Sequence, residues 1–365
     1  MKLYFYFARR FAANLLGLFL VFVMLSALIE MIEVLRKFDR SDVGFLEILR
    51  LTSLRLPRAL YQILPLIVIL ATLTLFLNLA KSSELVVTRA AGRSALRSLV
   101  SPVIVVFLVG AFAVAVINPI VAATSKQYKI LENRYSKGVQ SVLSIGPEGL
   151  WLRQGSDSGQ TVIRAEHTNA DGTILYGVTF FGFDSESLNS YRIEAAQAEL
   201  LPDFWKITDA KEWTFEYGEN SERGAVTSKE RMIATDLTKE QIRDGFGPPS
   251  TIPIWQMPAF IQRLERAGFS SRRHQMRLQT ELATPFLLVT MVMIGAAFTM
   301  RHTRFGRTGI MVLAAIGMGF SIFFVRNFAS ILGENGQIPV LLAAWAPPAA
   351  GLLLALGLLL HLEDG

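Results

Sequence analysis

Runs of apolar residues at 11–29, 60–80, 95–117, 282–300, 310–332 and 340–360 divide the chain into three hydrophobic stretches, a long polar interval and three more hydrophobic stretches. Each run is long enough to cross a bilayer as a helix, which takes about 20 residues. The first run exceeds the roughly 7–15 apolar residues of a signal-peptide core, and Glu30 and Glu33 stand where a small-residue cleavage site would fall, so it reads as a retained span. Six spans are expected, with both termini on one face of the membrane. Pro57 and Pro65 in the second span and Pro102 in the third predict kinks rather than ends, because neighbouring helices can satisfy the freed backbone groups.

In the polar interval the periodicity shifts to short alternations of apolar and polar residues. Gly149-Leu-Trp-Leu-Arg153, Thr161-Val-Ile-Arg164, Tyr191-Arg-Ile-Glu194 and Trp205-Lys-Ile-Thr208 have the period of two expected of half-buried strands. Ser156-Asp-Ser-Gly159 and Asn169-Ala-Asp-Gly172 are turn sequences between them. The expectation is an antiparallel β sandwich or jelly-roll-like domain ending near Gly245-Phe-Gly-Pro-Pro249, with Phe180, Phe181, Phe183 and Trp205 as either core or groove lining. A short amphipathic helix then opens at Pro258 and stops at Gly268. The fold class is an α-helical membrane protein of six transmembrane helices with an inserted all-β, jelly-roll-like domain. Its expected divisions are residues 1–120, 121–257 and 258–365.

Between spans two and three, Lys81-Ser-Ser-Glu-Leu-Val-Val-Thr-Arg-Ala-Ala-Gly92 predicts a short helix at the membrane surface. Ser83 suits its N-cap, Glu84 its positive dipole end and Gly92 the left-handed position beyond its C-terminus. Such a segment is either a plain surface turn or a helix that docks into a cytoplasmic motor.

Composition supports the bilayer as the main solvent: 365 residues are 52% hydrophobic with a mean hydropathy of +0.39. No cysteine is present, which removes thiolate metal sites and cysteine nucleophiles. His167, His274, His302 and His361 are dispersed without metal-ligand spacing, and neither a phosphate-binding G-x-x-x-x-G-K-[ST] loop nor a Gly-x-Ser-x-Gly elbow occurs. No cofactor, metal or nucleic-acid partner is expected, and any use of ATP needs a separate subunit.

Positive charge is balanced between the two faces, where the topology rule alone would concentrate it on the cytoplasmic one. Arg36, Lys37, Arg40, Arg55, Lys129, Arg272, Arg273 and Arg277 would be gathered by spans one, two and four at one outer rim. A phosphate-bearing lipid suits such a set, since guanidinium groups bind phosphate oxygens in pairs. Locally, Glu33 and Lys37 could instead form an i,i+4 pair, Arg36 could snorkel to headgroups, and Arg326 could bond Asn327, Glu334 or helix carbonyls.

The 81–92 segment resembles the Ser-Glu-Leu…Arg-Ala-Ser/Ala-Gly motif of the LptF/LptG lipopolysaccharide-export permeases of Gram-negative bacteria, and the layout of spans and insert is similar over the whole chain. Gly149-Leu-Trp-Leu-Arg153 and Ile338-Pro339 look more like the LptG branch. The resemblance implies a multi-pass inner-membrane subunit of an ABC-type exporter, with cytoplasmic termini and a periplasmic β domain. Implied partners are a homologous LptF-like permease, a dimeric cytoplasmic LptB-like ATPase, an LptC-like bitopic protein, a periplasmic LptA-like bridge and lipopolysaccharide itself.

By the same resemblance residues 83–92 form a coupling helix, with Ser83, Glu84, Leu85, Arg89 and Gly92 as its site residues and Glu84 the acid that enters a groove of the ATPase. Arg36 and Lys37 match the cationic cluster that meets lipid phosphates, whereas Glu30 departs from the pattern, standing where some relatives carry a lysine. ATP-driven movement of spans one and five would close a lipid cavity and push its contents to the β domain. Alternatives are an LptF-like partner subunit, a non-transporting scaffold and a lipoprotein-release permease; six spans argue against the last.

Overall fold

The computed structural model describes the chain except for residues 1, 39–42, 91–93, 136–141, 147–148, 157–158, 170, 185–189, 216–220, 236, 239–241, 243–247, 301–307 and 364–365. Its helices are α1 (Lys2–Lys37), α2 (Phe45–Lys81), α3 (Glu84–Ala90), α4 (Ala95–Phe112), α5 (Asn118–Tyr135), α6 (Met257–Arg266), α7 (Arg272–Thr299), α8 (Thr308–Glu334) and α9 (Val340–Glu363). Six spans are long and apolar enough to cross a membrane, as expected, with α4 and α5 forming one of them across a π-helical turn at Ala113–Ile117. The chain forms two compact units: Met1–Tyr135 with Ser250–Trp255 and Arg272–Gly365, and Ser136–Pro249 with Gln256–Ser271.

In the membrane unit α7 is the central helix. Burial covers 78% of its apolar window, against 6% for α1 and 17% for α8. Close approach of α4 to α7 requires Gly110, where an added Cβ would lie 2.7 Å from the Pro285 Cα. The prolines do not interrupt their helices: α2 runs unbroken through Pro57 and Pro65, and α9 through Pro347 and Pro348. The Pro348 carbonyl accepts a hydrogen bond from the Thr290 hydroxyl at 3.0 Å, which ties α9 to α7. The π-helical turn is tied in a similar way. Trp255 Nε1 donates to the Ala115 carbonyl at 3.1 Å, and Asn118 Oδ1 accepts from the Ile254 amide at 3.0 Å.

The second unit contains a seven-stranded antiparallel sheet, in sequence order β1 (Val142–Gly146), β2 (Gly149–Ser156), β3 (Gly159–Thr168), β4 (Ile174–Asp184), β5 (Ser190–Leu201), β6 (Phe204–Phe215) and β7 (Val226–Ala234). The inserted β domain is therefore present, and its strand order refines the jelly-roll-like expectation to a meander. The sheet rolls back on itself: the Gln154 side chain in β2 accepts from the Thr235 hydroxyl at 2.7 Å, just beyond β7.

Register sets one apolar row across the strands, pairing Leu152 with Ile163, Ile163 with Phe180 and Phe180 with Ile193. All four side chains are buried, with Trp205 and Ile207 of β6 and with Leu264, Ala267 and Phe269 from α6 and the residues after it. Phe180 and Trp205 are thus core, whereas Phe183 is exposed. The short helix ends as its sequence predicts. Gly268 has φ +89°, and a Cβ there would fall 1.9 Å from the Thr168 carbonyl oxygen.

Candidate coupling and lipid-binding sites

At the N-terminal end of α1, Tyr6 and Arg10 lie one turn apart on the same face of the helix. Both reach Glu84, the first residue of α3. Arg10 Nη1 lies 2.7 Å from Glu84 Oε1 and 2.9 Å from Oε2, and the Tyr6 hydroxyl donates to Oε2 at 2.9 Å. Arg10 also donates to the Tyr6 oxygen at 2.6 Å, and the Ser82 hydroxyl donates to Glu84 Oε1 at 2.7 Å. Burial pushes the Glu84 carboxyl up, but the hydrogen bonds from Arg10, Ser82 and Tyr6 prevail and hold it below its ordinary value.

Ser83 occupies the turn into α3 with φ 59°, and its carbonyl accepts from the Val87 amide at 3.1 Å. The hydroxyl that reaches Glu84 is that of Ser82 rather than Ser83. Leu85 is buried in the apolar cluster that includes Phe7 and Phe11 of α1, while Val87 is exposed. Gly92 and the side chain of Arg89 lie outside the described residues.

The C-terminal part of α1, the N-terminal part of α2 and α5 form a second polar cluster. Arg55 Nε lies 2.6 Å from Glu30 and its Nη2 2.5 Å from Glu33. Lys37 donates to Glu132, which also pairs with Lys129 at 3.0 Å. The Tyr128 ring sits between these groups, 5.5 Å from the Arg55 guanidinium and 5.8 Å from the Lys37 ammonium, both within cation–π range. The sequence pairing of Glu33 with Lys37 is therefore corrected: each has a partner on another helix.

Arg277 belongs to a third group, 2.5 Å from Glu281, which also accepts from the Tyr61 hydroxyl. Arg326 has Glu281, Arg277 and Tyr61 as its electrostatic neighbours, where the sequence offered Asn327, Glu334 or helix carbonyls. Arg272 and Arg273 are exposed at the start of α7, and Arg272 covers the turn at Gly336. Arg36 is exposed, with no ion pair among the described residues, and Arg40 lies outside them. Among the described members of the set, Lys37, Arg55, Lys129 and Arg277 pair with carboxylates of their own chain, in separate clusters.

Sequence reasoning missed Arg10, Tyr6, Tyr128, Glu132, Tyr61 and Glu281. The i,i+3 spacing of Lys129 and Glu132 and the i,i+4 spacings of Arg277 with Glu281 and of Tyr6 with Arg10 were local signals. The remaining contacts join residues 22 to 220 positions apart.

The family described as "Lipopolysaccharide export system permease LptF/LptG" matches residues 5–361, a stretch that includes α3, all six spans and the sheet. The chain belongs to the LptF/LptG family. Curated relatives carry the name "Lipopolysaccharide export system permease protein LptG". That of Escherichia coli K12 is 22% identical over 364 residues, covering 96% of this chain and 95% of the relative. That of Haemophilus influenzae is 22% identical over 347 residues, covering 89% and 88%. The resemblance read from residues 81–92 thus holds along the LptF/LptG length, and the named relatives fall on the LptG side of the family.

Proposed function

We propose that this chain is a permease subunit for lipopolysaccharide export in the bacterial inner membrane, acting with a homologous permease and a separate ATPase. The carrying observation is the LptF/LptG match over residues 5–361, which joins the six-span bundle and the inserted sheet in one family pattern. The β unit is periplasmic and both termini are cytoplasmic in this reading. A bitopic protein and a periplasmic bridge receive the lipid.

In this scheme α3 is the coupling helix, with Ser83, Glu84, Leu85, Arg89 and Gly92 at the ATPase side. The lipid-binding set is Arg36, Lys37, Arg40, Arg55, Lys129, Arg272, Arg273 and Arg277. Internal pairing changes how that set works. A phosphate entering at Arg55 or Lys37 competes with Glu30, Glu33 and Glu132, so the cluster holds lipid by exchange of partners. Exchange suits a transporter, because a site that must release its lipid cannot bind it irreversibly.

The test is co-purification of the tagged chain from its native membrane, followed by transfer of lipopolysaccharide from proteoliposomes to an acceptor on addition of ATP. Recovery of a homologous permease and an ATPase, with ATP-dependent release, is expected. Isolation of the chain by itself would favour the scaffold reading and sink the exporter.

A further inference from the structure

Glu33 and Lys37 stand one turn apart on α1, at the spacing of a local ion pair, yet they do not pair with each other. Each is held by a residue of another helix. Arg55 Nη2 on α2 takes Glu33 Oε2 at 2.5 Å, and Glu132 on α5 takes the Lys37 ammonium. The anchors are themselves fixed: Arg55 Nε lies 2.6 Å from Glu30, and Glu132 also holds Lys129 at 3.0 Å. The helix therefore carries a negative and a positive group side by side that are kept from neutralising one another.

Exposure separates the anchors from the groups open to a ligand. The side chains of Glu30 and Glu132 are largely buried, whereas those of Glu33, Lys37 and Lys129 are 53%, 46% and 55% exposed. Glu33 uses one oxygen on Arg55, and its Oε1 has no hydrogen-bond partner among the described residues. Lys37 and Lys129 keep N–H donors beyond those spent on Glu132, since an ammonium has three. Arg55, Lys37 and Lys129 against Glu30, Glu33 and Glu132 make three positive and three negative charges, a net of zero. A bare phosphate, with a charge of about −1.5 to −2, is drawn by the two lysines and opposed by Glu33. A neutral site with separated charges instead complements a ligand that is itself dipolar.

We propose that Glu33, Lys37 and Lys129 recognise a zwitterionic phosphoester, with its phosphate on the two lysines and its ammonium, carried on the phosphate by a short alkyl arm, on Glu33. Glu33 is then a specificity-determining residue: it favours lipopolysaccharide whose phosphates are capped with an amine over the same lipid with bare phosphates. The inference rests on the exporter reading above. A half-exposed carboxylate contributes little to stability through its ion pair, so its place beside two phosphate-binding cations is explained by the ligand rather than by the fold. Arg55 is a positioning residue, holding Glu33 away from Lys37.

The experiment gives the complete complex, with its partner permease and ATPase in proteoliposomes, an equal mixture of lipopolysaccharide with aminoethyl-capped phosphates and with bare phosphates. Mass spectrometry of the acceptor after addition of ATP reads the ratio of the two released forms. Wild type should favour the capped form by about fivefold, the worth of one exposed charge pair. Glu33→Gln should bring the ratio to within about twofold of one, and Glu33→Lys should reverse it. Because both lipids are read in the same reaction, a variant that merely slows the complex leaves the ratio unchanged. A wild-type ratio near one, or a preference that survives Glu33→Gln, overturns the proposal and leaves the exporter standing. Should the variants fail to assemble, acetylation of the cap amine decides on wild type alone: it removes the ammonium and keeps the arm, and an undiminished preference overturns the proposal. ATP-driven release of neither lipid overturns the exporter reading, and this site with it.

Discussion

Glu281 concentrates the charge balance of the bundle in one carboxylate. It is only 3% exposed, lies 2.5 Å from Arg277, accepts from Tyr61 and is the acidic neighbour of Arg326. Removing one partner of a buried pair leaves the other without compensation, so Glu281→Ala should cost about 3–5 kcal/mol. A clear fall in the thermal midpoint of the detergent-solubilised chain would show it. Lys206 and Glu230 in the sheet form the comparison: their side chains are 34% and 64% exposed, and Glu230→Ala should change stability by less than about 1 kcal/mol. Equal effects at the two sites would mean that burial does not decide the worth of these pairs. Gly268→Ala tests backbone rather than charge. The left-handed φ and the Thr168 carbonyl 1.9 Å from the added carbon together predict a loss of about 3 kcal/mol or more, read as a lower unfolding midpoint.

At the scale of the element, α3 is too short to be stable by itself, since isolated helices need about 12–15 residues. Its ties to α1 and α2 therefore matter, and one of them titrates. The folded Glu84 carboxyl lies below its ordinary value of 4.5, so its contribution is fully present above that value and is lost as pH falls through the lower, folded one. The difference in thermal midpoint between wild type and Arg10→Ala should accordingly be constant near neutral pH and shrink below about pH 4.5. A difference that grows on acidification would contradict the assignment. The start of α3 was legible in sequence because Glu84 suits the positive end of a helix dipole, which acts locally. Its partner was not legible. Arg10 is 74 positions away, and the apolar composition of α1 gives no periodic signal for which face turns inward. The cluster around Tyr128 was illegible for the same reason: Glu33 and Lys37 have the spacing of a local pair, but helix packing gives each a better partner in Arg55 and Glu132.

For the whole molecule, the six spans and the inserted sheet were legible because hydrophobic length and period-two alternation survive in one dimension, whereas the rolling of the sheet depends on contacts such as Gln154 with Thr235. What covers the spans is a further question of the same kind. Leu20 on α1, Phe324 on α8 and Leu353 on α9 are 56%, 61% and 68% exposed, so exposure does not distinguish lipid from protein as their neighbour. The cover supplied by the chain does. The apolar windows of α1 and α8 are 6% and 17% buried, whereas that of α9 is 33% buried, so the first and fifth spans are the least enclosed by their own bundle. A subunit that pairs with a homologue to enclose lipid should use those two spans, because helices already packed into the bundle have less surface to give. A photo-crosslinking residue at Leu20 or at Phe324 should therefore capture the homologous permease in native membranes, and the same probe at Leu353 should not. Capture at Leu353 with none at the other two positions would move the interface to α9. The cavity could then not be closed by spans one and five.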